Sequence, residues 1–368
     1  MNKMVTVFPD FQNDHMYKDV GMIPYVLNGN GVECYIACYE PQKITVKSEM
    51  HFEKIEKKFK KSIVNGALYI LNKGKTIDIL NIYHLSAASM LWAILYKIVN
   101  KKGRIYLKLD TKVSDIKEIE HSFLYRKIVR CGLNKCDVIS GETVDVINYL
   151  ENITGKHILH LPNGVLDKDI HCGAEKNKII MTVGRLGTPP KNTFLLVETF
   201  VKAVSFVSNE WKLVLVGPMT NELRDYIQKV YEKRPDLKRR ILITGKVTDR
   251  NELKCLYDRC LIYCMPSAWE GFSLAGVEAL SRGDFLLTSN LPCFVELSDE
   301  EKYGWQFDVN DKKDFLNKLV LLCNSMDRNE IKFNDQKMEN YVRNNYSWEM
   351  ICQKLKHYLI NDESTNET

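Results

Sequence analysis

From Ile179 onward the chain alternates short apolar runs with amphipathic stretches, and this rhythm constrains the fold more than any other feature. Residues 179–183, 212–216, 241–244, 261–265 and 285–288 read as strands. Residues 194–206, 221–233, 251–258 and 274–281 between them read as helices. Strands separated by helices cannot close as hairpins, so they pair in parallel through crossover connections. The expectation is an α/β class, with this half forming a doubly wound unit complete in itself.

The first half follows the same pattern less regularly. Residues 5–8, 32–39, 79–84, 104–109, 138–140 and 157–161 read as strands. A helix at 22–27 is stopped by Asn28, Gly29, Asn30 and Gly31, and Pro162-Asn163-Gly164 punctuates the chain. The 368 residues give room for two domains of ordinary size. We place them at 1–168 and 173–345, with a last helix at about 346–360 packing back on the first. Two doubly wound units in series make a cleft between the carboxyl ends of two sheets, where ligands of open α/β folds bind.

Composition narrows the function. Hydrophobic residues at 45 % and charged residues at 27 % are globular values, and the net charge of +5 does not by itself support a nucleic-acid partner. Lys54, Lys57, Lys58, Lys60 and Lys61 interleave with Phe52, Ile55 and Phe59. As a helix they would set a basic face beside an apolar stripe, which suits a peripheral membrane surface or an ordinary solvated face. Phe123, Tyr125, Arg126, Lys127 and Arg130 form a second such group. The apolar segment 85–99 is about 15 residues, short of the ~20 that span a bilayer, and reads as a buried helix. The start of the chain lacks the pattern of a signal peptide. Eleven scattered cysteines without paired metal spacing read as reduced thiols. The expected location is cytoplasmic, with contact at the inner face of the membrane as an option. Residues beyond about 360, rich in Asn, Asp, Glu, Ser and Thr, read as a disordered tail.

The chemistry concentrates after the strand that ends at Met265. Glu270 sits in a loop, and Gly271, Phe272, Ser273 and Leu274 lead into a helix that carries Glu278. Gly271 lets backbone approach a ligand, and the first amides of the helix can hold an anion. Glu278, between Val277 and Ala279, needs a donor to offset its burial. A pair of sugar hydroxyls supplies one, and a salt bridge or helix cap is the structural alternative. After the strand 179–183 come Gly184, Arg185 and Lys191, a fork and a point charge that suit a diphosphate. The phosphate-loop and Gly-x-Gly-x-x-Gly signatures are both absent.

In the first unit Asp110 follows a strand and could orient a sugar, serve as a base or cap a loop. Asp14 and His15 follow the first strand and could touch an acceptor, and His84 ends an apolar strand either there or as a core histidine. No metal site is expected from His157, His160 and His171, because no supporting shell is evident.

The segment 270–280, Glu-Gly-Phe-Ser-Leu-Ala-Gly-Val-Glu-Ala-Leu, resembles the carboxyl-terminal motif of retaining GT-B glycosyltransferases of the family 4 type, the glycosyl transferases group 1. Gly184-Arg185-Leu186 with Lys191 resembles their donor-phosphate motif, and Pro162-Asn163-Gly164-Val165 with Asp167 their domain-closing turn. The resemblance covers roughly residues 161–308. It implies two Rossmann-like doubly wound domains facing across a cleft, and transfer of a sugar with retention, without an essential metal or cofactor.

The donor implied is a nucleotide-sugar, UDP- or GDP-linked, and the acceptor a glycan or lipid-linked molecule of cell-surface polysaccharide or glycoconjugate synthesis. On the family pattern Arg185 and Lys191 hold the departing diphosphate, Glu270 the sugar hydroxyls and Glu278 the ribose. Amides near Phe272 to Leu274 lie by the phosphates or the sugar, and Val247 by the base. The loop after the first strand departs from the pattern: Pro9 to Lys18 contains no glycine, Gly21 partly replacing it, and Asp110 stands where a histidine is frequent. A non-catalytic nucleotide-sugar-binding or scaffold protein is the alternative reading.

Overall fold

The protein is described by a computed structural model over residues 2–46, 49–121, 123–331 and 335–360. The chain divides into two units: one runs to Asn163 and resumes at Trp348, the other is Gly164–Ser347. The proposed tail beyond 360 lies outside the described residues.

Unit 1 has seven strands, β1 (Asn2–Val7), β2 (Val32–Cys38), β3 (His51–Lys54), β4 (Ile79–Tyr83), β5 (Arg104–Leu109), β6 (Val138–Gly141) and β7 (Leu159–His160). They lie in the order β3-β2-β1-β4-β5-β6-β7, and all pairs are parallel. Helices cover both faces, so the central strands are largely apolar, and all five residues of β4, Asn81 included, are buried. The helices Ser62–Lys73, Ala87–Val99 and Phe123–Leu133 pack side by side, and Trp348–Ile360 packs on Asp19–Leu27. The segment 85–99 thus supplies a core helix, and among the described residues no helix is long and apolar enough to cross a membrane.

Unit 2 has six strands, β8 (Ile179–Val183), β9 (Lys212–Val216), β10 (Ile241–Gly245), β11 (Ile262–Met265), β12 (Phe285–Ser289) and β13 (Gly304–Phe307). Their order is β10-β9-β8-β11-β12-β13, again all parallel. Each unit is therefore a Rossmann-like doubly wound domain. Winding reverses between β1 and β4 in unit 1 and between β8 and β11 in unit 2. At such a switch point the loops at the carboxyl ends of the two strands diverge and leave a crevice.

Three expectations need correcting. No basic helix runs through Lys54 to Lys61: Lys54 ends β3, the Ile55 amide donates to the Cys38 carbonyl at 2.7 Å, and the helix starts only at Ser62. The pull of sheet pairing outweighs the helical periodicity there. The strand expected at 157–161 shrinks to two residues, and the helix expected at 194–206 ends at Ala203. The edge strands β3 and β13 and the helices Lys312–Asp327 and Asp335–Tyr346 add to the pattern read from the sequence.

Candidate functional site

The switch point of unit 2 gathers the segments that follow β8 and β11. After β8 the chain passes Gly184 and Arg185, makes a 3-10 turn over Pro189–Lys191, and enters the helix Thr193–Ala203. Space here is tight because β9 ends alongside. A Cβ on Gly217, at φ +131°, would lie 2.0 Å from the Gly184 carbonyl oxygen, so that position requires glycine. The loop after β11 docks on the 3-10 turn through the Ala268 amide, which donates to the Pro190 carbonyl at 2.9 Å.

That docking brings two distant residues together. Lys191 Nζ donates to both carboxylate oxygens of Glu270, each at 2.9 Å. The side chains are 18 % and 15 % exposed, so the pair is shielded but within reach of a ligand. Arg185 is exposed and makes no ion pair among the described residues. It leaves a guanidinium fork beside the crevice.

Glu278 stands on the helix Leu274–Ser281, whose start is fixed by Ser273: its Oγ accepts from the Gly276 amide at 3.1 Å. The first-turn amides of this helix open toward the same loop as Glu270. The donor that Glu278 needs comes from the helix Arg250–Arg259. Arg250 Nη2 bonds one carboxylate oxygen, and the Tyr257 hydroxyl donates to the other at 3.2 Å. Burial, then the nearby Glu278 charge, holds the Tyr257 phenol well above its ordinary pKa, so it remains a donor. A pocket of about 30 Å³ beside this pair is lined by Asp169, Lys254, Ser281 and Arg282 among others.

The other named residues of this site differ in setting. Phe272 is partly buried, with its ring 6.3 Å from that of Tyr346. Val247, after β10, is half-buried against the same apolar cluster.

The switch point of unit 1 collects His15 and His84. Their rings lie 5.1 and 6.1 Å from that of Phe8, which follows β1. His15 Nδ1 accepts from the Gln12 amide at 2.9 Å, and burial followed by Lys18 lowers its pKa, both favouring a neutral ring. Asp14 lies in the same 3-10 turn, and Gly21 lets that turn pack on the next helix: a Cβ would meet the Met16 Cα at 2.5 Å. Asp110 is exposed one strand further along, after β5.

Beneath this edge lies a buried charged group. Lys108 Nζ donates to the Leu161 carbonyl at 2.7 Å and to Glu142 at 3.3 Å, and Asn163 donates to the same Glu142 oxygen at 2.8 Å. Burial pushes the Glu142 carboxyl up to about 8 against the opposing pull of Lys108. Asp19 is also buried, and its carboxyl is raised by burial with Lys108 again opposing.

Residues 177–325 match the glycosyl transferases group 1 family model. Among curated relatives, the O-antigen chain mannosyltransferase RfbU of Salmonella typhimurium is 25 % identical over 51 % of this chain and 54 % of its own. The UDP-Gal:alpha-D-GlcNAc-diphosphoundecaprenol alpha-1,3-galactosyltransferase of Escherichia coli is 28 % identical over 52 % of this chain and 48 % of its own. The chain spans about half the length of these relatives. The crystal structure of Anabaena Alr3699/HepE with UDP superposes with a TM-score of 0.75, at 13 % identity, over 98 % of this chain and 99 % of that one. The fold is that of the GT-B glycosyltransferases.

The match to the group 1 glycosyltransferases lies wholly within unit 2, where both carboxylates and both proposed phosphate ligands stand. Sequence reasoning missed Arg250 and Tyr257. Their spacing of seven puts them on one helix face, a signal that was present but did not name Glu278 as the partner. It also missed Lys108, Glu142 and Asp19, which are scattered along the chain and meet only through the strand order.

Proposed function

We propose that the protein is a glycosyltransferase that moves a sugar, with retention, from a UDP- or GDP-linked donor to a glycan or lipid-linked acceptor of cell-surface polysaccharide synthesis. The observation that carries this reading is the pairing of Lys191 with Glu270 across the unit 2 switch point, beside a second held carboxylate, Glu278. A nucleotide-sugar offers what each group lacks. Its diphosphate suits Lys191 and the exposed Arg185, its sugar hydroxyls suit Glu270, and its ribose diol suits Glu278. The backbone of Gly184, Gly271, Phe272, Ser273 and Leu274 lies close enough in sequence to the crevice to complete the donor site, and Val247 borders the base.

Cleavage of the glycosidic bond places negative charge on the departing diphosphate and positive charge on the sugar ring. Lys191 and Arg185 stabilise the first, and Glu270 turned toward the sugar favours the second, so the electrostatic gain grows toward the transition state. On the acceptor side, Asp110, Asp14, His15 and His84 sit on the unit 1 sheet edge where a hydroxyl nucleophile would be oriented. No metal is required by these roles. A cytoplasmic location with contact at the inner membrane face fits a lipid-linked acceptor.

A panel of UDP- and GDP-sugars, read by mass spectrometry for hydrolysis or transfer, tests the assignment. Turnover of at least one donor, lost in Lys191→Ala, is the expected result. Binding of nucleotide-sugar without turnover on any acceptor would favour the non-catalytic alternative. Neither binding nor turnover would overturn the site.

A further inference from the structure

The segment between β3 and the helix Ser62–Lys73 is an exposed loop with an unusual anchor. Asn65, buried at 1 % exposure, accepts from the Phe59 amide at 2.9 Å and donates to the Phe59 carbonyl at 2.8 Å. Its Nδ2 also donates to the Tyr39 hydroxyl at 2.8 Å. Both backbone groups of Phe59 are therefore held by one buried side chain, while the residue as a whole is left 52 % exposed. Ile55, fully buried, pins the start of the loop.

Charge surrounds the ring. Lys57, Lys58, Lys60 and Lys61 flank it, all exposed, and the acid in the loop, Glu56, is paired with Lys54 at 3.3 Å. Val64 adds an exposed apolar side chain one turn into the helix. The setting extends beyond the loop. From Lys54 to Lys135 the sequence holds 18 lysines and arginines against 6 aspartates and glutamates, in a chain whose net charge is +5, so the remainder is net negative.

A clamped backbone that presents an aromatic ring between lysines combines interfacial insertion with attraction to anions. We propose that the loop 55–61 docks on an anionic lipid surface, with Phe59 entering the headgroup layer and Lys57, Lys58, Lys60 and Lys61 contacting lipid phosphates. This sharpens the membrane contact named above and stands on the loop itself, without the transfer reaction. Each lysine near such a surface contributes roughly fivefold in binding, and a flexible loop would lose part of that gain to ordering.

Co-sedimentation of the full chain with phosphatidylcholine vesicles, with and without phosphatidylglycerol, tests the proposal, and the assay contains no sugar donor. Binding should require phosphatidylglycerol and fall with added salt. Phe59→Ala should weaken it about tenfold, and K58E/K60E should abolish it, both with unchanged melting temperature because the altered side chains are exposed. Phe59→Trp should gain quenching by brominated lipid that the wild type lacks. Binding that ignores phosphatidylglycerol, or survives K58E/K60E, overturns the proposal. Retention on polyglutamate resin without vesicle binding would overturn it too, moving the partner to an acidic protein surface. Failure here leaves the donor panel unaffected, and the reverse holds.

Discussion

At the carboxyl edge of its sheet, unit 1 keeps a lysine–glutamate pair out of water, with Lys108 and Glu142 at 0 % and 4 % exposure. Unit 2 does the reverse. Its fully buried acid, Asp284, lies at the amino edge just before β12 and meets Lys176 at 2.6 Å. Its carboxyl edge carries Lys191–Glu270 and Arg250–Glu278, with exposures between 12 % and 34 %. A ligand can open a partly hydrated pair by offering equivalent hydrogen bonds, whereas parting a buried pair strands a charge in low dielectric. The unit 2 edge is therefore suited to exchanging partners, and the buried layer of unit 1 to holding still the loops that carry His84 and Asp110.

The sharpest break of this comparison is Lys108→Met. With its cation removed, ionised Glu142 keeps Asn163 as a donor but no counter-charge, so the substitution should cost unit 1 about 3–5 kcal/mol well above pH 8, seen by denaturant unfolding with a unit 1 probe. The cost should shrink at pH 5. Glu142 rises from 4.5 to about 8 on folding, so the native state keeps a proton that the unfolded chain has already released. Stability therefore falls as pH rises between those values and levels off above them. Glu142→Gln should flatten that slope. Asp284, raised to about 7 by burial with Lys176 opposing, gives the same sign in unit 2 over a narrower window. Equal losses for Lys108→Met and Lys191→Met would erase the distinction between the two edges.

Next in size is Arg185→Ala. If this exposed fork stabilises the departing diphosphate, turnover should drop about 10²–10³-fold while the melting temperature stays unchanged. A loss confined to KM would make Arg185 a binding group only.

The sequence pattern exposed the sheets better than it exposed the site. Short apolar runs flanked by helices mark strands buried on both faces, so β8, β9 and β5 were legible to the residue. The helices Asn221–Lys233 and Leu274–Ser281 were equally legible, and Thr220 and Ser273 cap their first turns. Two edge strands were not: β3 reads His-Phe-Glu-Lys and β13 Gly-Trp-Gln-Phe, because an edge needs fewer apolar residues, whereas the edge strand β10 kept an apolar run that was read at 241–244. Glu270 and Glu278 stood out through one short motif. The partners Arg250 and Tyr257 did not, since only the return of β11 beside β8 decides which helix faces Glu278. The basic run misled because Asn65, outside it, fixes Phe59 by tertiary hydrogen bonds that local periodicity does not encode.

Ligand protection sharpens the comparison further. UDP or GDP at 100 times its Kd should stabilise the protein by about 2.7 kcal/mol, with hydrogen-exchange protection concentrated in the loops after β8 and β11. Glu278→Ala should remove most of that gain. Protection centred on unit 1 would reverse the assignment of the donor to unit 2.

The smallest effect belongs to Arg250, whose pairing with Glu278 could either compete with the donor or aim the carboxylate at it. A partly exposed pair contributes about 1 kcal/mol or less to stability, so Arg250→Ala should barely move the melting temperature. The Tyr257 hydroxyl holds only one oxygen of Glu278, and Arg250 holds the other, so loss of Arg250 frees the carboxylate to rotate. On that argument the donor KM should rise several-fold with kcat unchanged, and Arg250→Lys should restore only part of it, because a point charge does not reproduce the fork. A fall in KM would show instead that Arg250 occupies the place of the ribose and must be displaced when the donor binds.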